Sequence, residues 1–402
     1  MKAATETLAP AWFLALGTFA IGTEGFMIAP LLSTMAADFY MSVPEVALLV
    51  IVFTLTMSLS SPISTVLSAR LKRRDTLLFA MAMFAAGNLV AAWSPHFGVL
   101  MGARVLMAVA SGLYVPNANA LAGVIVSPHK RGRALAIVSG GMTLAIALGL
   151  PLGAVVGHAF GWRATFLAVG VMSLTAMAGI RLGVARDAGA AIPVATLAQR
   201  AAVVRQPAVL RLLAVSLFWS IGAYAAYPYI APYLTHVLGF EAAGINATVS
   251  LWGLAAALGV TAGGTLNDRY GSRRVARASL LVLALSFWLL ALAAVLAPNA
   301  ALIPVLVGVV LWGFTVWAFF PAQMARLIAA GDASQASVAL ALNTSTMYLG
   351  FSIGSAVGAA ILDRGVIAAI GVFAGAAEFL ALALDRRAGA AAHTPRPLAD
   401  VP

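Results

Sequence analysis

Residues 264–274 read Gly264-Thr265-Leu266-Asn267-Asp268-Arg269-Tyr270-Gly271-Ser272-Arg273-Arg274, a basic stretch with one acid, bounded on both sides by apolar runs long enough to cross a bilayer. A second basic cluster, Arg70 to Arg74, stands about 200 residues upstream and also separates two apolar runs. Glycines recur at the same offset, with Gly149, Gly153 and Gly157 matching Gly350, Gly354 and Gly358. Such a pattern predicts a membrane chain built from a parallel internal repeat.

Composition agrees. Hydrophobic residues make up 62% of the 402 residues and charged residues 9%, with a mean hydropathy of +0.99, which excludes an ordinary soluble domain. Apolar runs of spanning length are centred near residues 22, 56, 85, 110, 146, 173, 221, 255, 288, 313, 349 and 375. The expected fold is therefore an all-α membrane protein of twelve transmembrane helices. The first run follows a single Lys and has no convincing cleavage site, so it reads as a retained helix.

The net charge of +11 would suggest nucleic acid only if the basic residues clustered on one solvated face. Instead they lie in alternate loops. With the N-terminus inside, 21 of the 24 Lys and Arg fall on the cytoplasmic side; Arg163 and Arg364 lie opposite and Arg104 lies within a span. Both termini are expected in the cytoplasm. The longest break, 183–207, divides the chain into an N-terminal six-helix bundle (1–182) and a C-terminal one (208–388), followed by a tail at 389–402 that reads as disordered. There are no cysteines, the five histidines lack metal-ligand spacing, and no phosphate-binding loop of the Gly-x-x-x-x-Gly-Lys type occurs. No metal, no cofactor and no ATP hydrolysis are expected.

Glu24 is an acid within the first span, in Gly22-Thr23-Glu24-Gly25-Phe26. A charge there costs about 3 kcal/mol or more and persists where it has a role. Arg104 in the fourth span needs a partner or must snorkel outward. Counted at 1.5 Å per residue, Arg104 lies roughly 10 Å below the outer surface and Glu24 roughly 20 Å from the inner one, the same level of a core about 30 Å thick. Burial favours a neutral acid and a neighbouring guanidinium favours an ionised one, a competition that suits Glu24 to carry a proton. Glu378 is nearer the inner end of its helix, where snorkelling or a local hydrogen bond is expected.

The spacing Gly264-x-x-x-Asp268-Arg269-x-Gly271, with Arg273 and Arg274, resembles the loop signature of the major facilitator superfamily. In that family the acid and arginines form a network that latches the two halves in the outward-facing state. The first-half counterpart retains Arg70, Arg73 and Arg74 but has Thr65 at the first Gly place, Ala69 at the Asp place and Lys72 at the second Gly place; either its latch is lost or Asp75 partly replaces it. Gly149, Pro151, Gly153 and Gly157, with Gly161-Trp162-Arg163 beyond them, resemble the signature of the drug:proton antiporter branch, although glycines four apart also serve close helix packing.

The resemblance implies two six-helix bundles around a central cavity, alternating access, and export of small organic solutes from a bacterial inner membrane. Within that family the chain resembles bacterial sugar-efflux, arabinose-efflux and chloramphenicol-resistance permeases. Expected partners are a small-molecule substrate, protons and the lipid bilayer, without nucleic acid, and the chain is expected to be a monomer and not an enzyme. Phe26, Asn117, Tyr224, Tyr227, Trp312, Trp317 and Asn343 are candidate cavity residues, with Tyr224 at nearly the repeat position of Glu24. Tyr229 and Tyr233 read as interface anchors. An uncoupled sugar or nucleoside carrier is the competing reading.

Overall fold

The computed structural model describes residues 7–67, 71–186, 188, 202–203, 205–330 and 336–391. Arg70, most of the 183–207 break and the tail beyond 391 lie outside the described residues. Twelve helices long and apolar enough to cross a membrane are present among the described residues. They are α1 (Ala9–Phe39), α2 (Val43–Ser64), α3 (Arg73–Ala92), α4 (Phe97–Ala122), α5 (Arg131–Phe160), α6 (Trp162–Gly183), α7 (Pro207–Leu238), α8 (Ala242–Tyr270), α9 (Ser272–Ala293), α10 (Pro298–Ala330), α11 (Val338–Asp363) and α12 (Ala368–Arg386).

Packing follows the repeat. In the first bundle α1 lies on α5 and α6, α2 on α4, and α3 on α4 and α6; in the second, α7 lies on α11 and α12, α8 on α10, and α9 on α10 and α12. The bundles meet along two equivalent seams, α2 with α11 and α5 with α8. Hydroxyls stitch the first seam: Ser58 Oγ donates to the Ser345 carbonyl at 2.8 Å and Ser352 Oγ to that of Ile51 at 3.1 Å. Leucines such as Leu59, Leu152, Leu254 and Leu285 stay exposed on the outer surface, as contact with lipid requires.

Local sequence explains the irregularities. Pro30 and Pro228 each lie inside a three-residue 3₁₀ turn, Ala29–Leu31 in α1 and Tyr227–Tyr229 in α7, and these two turns touch across the bundle interface. In α5 a π segment covers Ala145–Gly149, ending two residues before Pro151, whose missing N–H disturbs the ladder there. Gly161 and Gly271 have φ of 85° and 84°, and each turns the chain from one span into the next with a single residue.

Candidate functional site

Glu24 and Arg104 form an ion pair with side chains 0% and 1% exposed, joining α1 to α4 inside the first bundle. Arg104 also donates through Nε to the Leu49 carbonyl at 3.2 Å, and its guanidinium sits 4.0 Å from the Phe53 ring centroid. Both contacts come from α2, so one buried cation holds three helices. Glu24 Oε2 receives no hydrogen bond from any described residue, so its other oxygen carries the attachment to Arg104. Removing either member would strand the other in a low-dielectric interior.

An aromatic cluster closes the space between this pair and the second bundle. Phe26 of α1 packs edge-on against Tyr227 at 5.7 Å and Trp317 at 5.9 Å, and Tyr227 Oη donates to the Phe26 carbonyl at 2.9 Å. Tyr224 stacks on Phe351 with centroids 3.6 Å apart and planes 19° apart. Trp252 and Trp312 complete the cluster, which encloses only about 10 Å³ of free space.

On the side of the basic loops, a cavity of 260 Å³ lies between the bundles, with Phe26, Trp317 and Phe351 shared between it and the aromatic cluster. Met57, Met142, Met347 and Phe320 supply apolar walls; Thr18, Asn119, Thr143, Thr344 and Tyr348 supply polar groups. Ser139 is exposed at the mouth, where its hydroxyl donates to Asn119 Oδ1 at 3.4 Å. Among the described residues, the lining carries no Asp, Glu, Lys or Arg.

Several expected site residues fall elsewhere. Asn117 does not line the cavity; it accepts a hydrogen bond from Arg73 and donates to the Leu113 carbonyl at 2.7 Å, because its face of α4 turns toward α3. Its neighbour two residues on, Asn119, is the cavity residue. Asn343 is buried beside Met324 of α10, and Thr344 takes the cavity place. Tyr224, Tyr227 and Trp312 line the aromatic cluster and not the larger cavity. Tyr229 and Tyr233 donate to the Ser355 carbonyl at 2.5 Å and the Leu290 carbonyl at 2.7 Å.

Glu378 departs furthest from expectation. It does not snorkel; it is fully buried against Gly222 of α7, and neither carboxyl oxygen has a hydrogen-bond partner among the described residues. The gap left by Gly222 admits it, since a Cβ there would come within 2.6 Å of Glu378 Oε1. Glu24 is therefore not the one deep carboxylate of the chain.

The glycine faces serve close packing in both bundles. A Cβ at Gly149, Gly153 or Gly157 would collide with Thr23, Met27 or Leu31 of α1, and one at Gly350, Gly354 or Gly358 with Ser220, Ile221 or Ala225 of α7. In the basic loops, Arg73 and Arg74 are buried and Arg74 donates to the Arg181 carbonyl of α6. Arg269 lies 5.3 Å from the Tyr270 ring centroid, and no ion pair among the described residues involves Asp268, Arg269, Arg273 or Arg274. Gly264 has open space where its Cβ would stand. At the other end Arg163 pairs with Asp38, donates to the Ser94 carbonyl at 3.2 Å and covers Trp162 at 4.2 Å.

The sequence model of the Major Facilitator Superfamily matches residues 14–245 and again 212–401. The chain belongs to the major facilitator superfamily. It is similar to the uncharacterized MFS-type transporter YbcL of Bacillus subtilis, 29% identical over 89% of this chain and 90% of that protein. The inner membrane transport protein YdhP of Escherichia coli is 28% identical over 89% and 90% of the two chains. A chloramphenicol resistance protein of Streptomyces lividans is 32% identical over 68% and 70%. Among solved structures, the human organic anion transporter MFSD10 shares the fold, with a TM-score of 0.66 at 17% identity over 94% of this chain and 97% of that one. This superfamily member is thus a multi-pass membrane transporter, and its family and relatives are transporters rather than enzymes.

Proposed function

We propose that this transporter exports small organic solutes by proton antiport through alternating access, with Glu24 carrying the proton and Arg104 as its counter-ion. The observation that carries the reading is the buried Glu24–Arg104 pair, separated by an aromatic layer from a cavity between the bundles whose described lining carries no charged side chain. Protonation of Glu24 removes one charge of the pair, and Arg104 then keeps only the Leu49 carbonyl and the Phe53 ring. The released guanidinium turns toward Tyr224 across the bundle interface, which couples proton uptake to rocking of the halves. Deprotonation toward the other side restores the pair as a new substrate enters.

Drug-like amphipathic solutes suit the methionine and aromatic walls, and the chloramphenicol resistance relative supports that class. The basic loops face the cytoplasm of a bacterial inner membrane, with both termini on that side. We further propose that the chain works as a monomer, that 183–207 links the two bundles, and that Arg73, Arg74, Gly264, Asp268, Arg269, Gly271, Arg273 and Arg274 latch that face when the cavity opens outward. That Asp268 has no ion-pair partner among the described residues fits a cavity open on the basic side. Hydroxyls at the cavity rim favour an uncoupled sugar or nucleoside carrier as a second reading. Proteoliposomes with an imposed pH gradient, screened over sugars, phenicols and lipophilic cations, separate the two. Accumulation that a protonophore abolishes supports antiport; exchange indifferent to protonophore supports the carrier.

A further inference from the structure

The second bundle contains a cavity of its own. It measures 570 Å³, lies at the basic end, opens to the surface, and is lined by the ends of α7, α9, α10 and α12, apart from the space between the bundles. At its floor the fully buried Asp385 accepts a hydrogen bond from Arg277 Nε at 2.6 Å and pairs with Arg326. Arg326 is fixed in turn: Nη1 donates to Gln323 Oε1 at 3.2 Å, and Gln323 Nε2 donates to the Leu212 carbonyl at 2.8 Å and Ser216 Oγ at 2.9 Å. One carboxylate thus serves two guanidiniums. Arg211 and Arg273 line the walls, and neither has an ion-pair partner among the described residues. Among the described residues, the cavity and its floor bring four guanidiniums to one acid, three positive charges more than that acid balances.

The remaining donors point the same way. Ser272 lines the cavity at the start of α9, whose N-cap Gly271 supplies no side-chain acceptor to the first-turn N–H groups. Guanidinium forks bind tetrahedral oxyanions in bidentate fashion, and a helix N-terminus adds favourable potential. Donors arriving from α7, α9 and α10 suit an anion that accepts from several directions. We propose that this cavity is a binding site for a phosphate group, carried either by an anionic lipid headgroup or by a free phosphate. The site stands at the membrane face where the basic loops gather, within reach of both sources.

Lipid-stripped protein in neutral detergent tests it through thermal unfolding. One arm compares sodium phosphate with sodium chloride at equal ionic strength; the other compares short-chain phosphatidylglycerol with short-chain phosphatidylcholine. A rise in unfolding temperature with inorganic phosphate identifies the free anion as sufficient, and a rise with phosphatidylglycerol alone identifies the headgroup. In either case Arg211→Ala and Arg273→Ala each weaken the apparent affinity about tenfold, the worth of one charge-assisted contact. Arg211→Lys keeps most of the stabilisation, which separates loss of the anion from loss of fold. Absence of stabilisation in both arms, or equal stabilisation of the wild type and both alanine variants, overturns the proposal.

Discussion

Helices α1 and α7 occupy equivalent places in the two bundles and follow the same path. Each is broken by a proline-centred 3₁₀ turn, and each is packed by a glycine face, from α5 in one case and α11 in the other. At the shared buried level, however, α1 presents Glu24 to Arg104 whereas α7 presents Tyr224 to the Phe351 ring. At that level the scaffold is symmetric and the chemistry is not: the first bundle holds the Glu24–Arg104 pair, and the second holds most of the aromatic surface that meets it.

The largest way to break this contrast is to remove one charge. Arg104→Ala leaves Glu24 without its counter-ion and is expected to destabilise the first bundle by about 3–5 kcal/mol, measured by unfolding in detergent. The Arg104→Gln/Glu24→Gln double variant should recover most of that loss while remaining unable to couple transport to a pH gradient. Stability unaffected by Arg104→Ala would mean that the pair does not hold the helices together.

Next comes the symmetric part. Gly149→Val and Gly350→Val each force a branched side chain into the helix opposite, at a cost of about 1–3 kcal/mol. Similar losses at both positions are expected from packing, whereas a loss at Gly149 alone would restore a special role for the α5 motif. Tyr227→Phe deletes the hydrogen bond to the Phe26 carbonyl and should cost about 1 kcal/mol or less, visible as a small fall in unfolding temperature. The smallest effect is expected at Glu378: Glu378→Gln keeps the volume against Gly222, and the pH profile of transport should stay within about twofold of wild type. A displaced profile would bring a second acid into the coupling.

Hydropathy, the loop spacing of Gly264 to Gly271 and the glycine offset made the twelve helices and the two-bundle fold legible, because lipid leaves the backbone few other solutions. The pairing of Glu24 with Arg104 was legible from depth alone, since rise per residue fixes level in a straight span. Azimuth was not. Asn117 and Asn119 lie two residues apart on α4, and only packing decides which one faces the cavity. The same ambiguity hid Phe351 and Thr344 on α11, where apolar residues surround the helix and no amphipathic face betrays its orientation. Glu378 was misjudged because its burial depends on Gly222, more than 150 residues away in sequence.

The most direct test of the asymmetric arrangement is transport by Glu24→Gln in proteoliposomes with an imposed pH gradient. Loss of gradient-driven accumulation, with substrate binding and pH-independent exchange retained, is the expected result. Concentrative, pH-dependent transport by that variant would contradict Glu24 as the proton carrier.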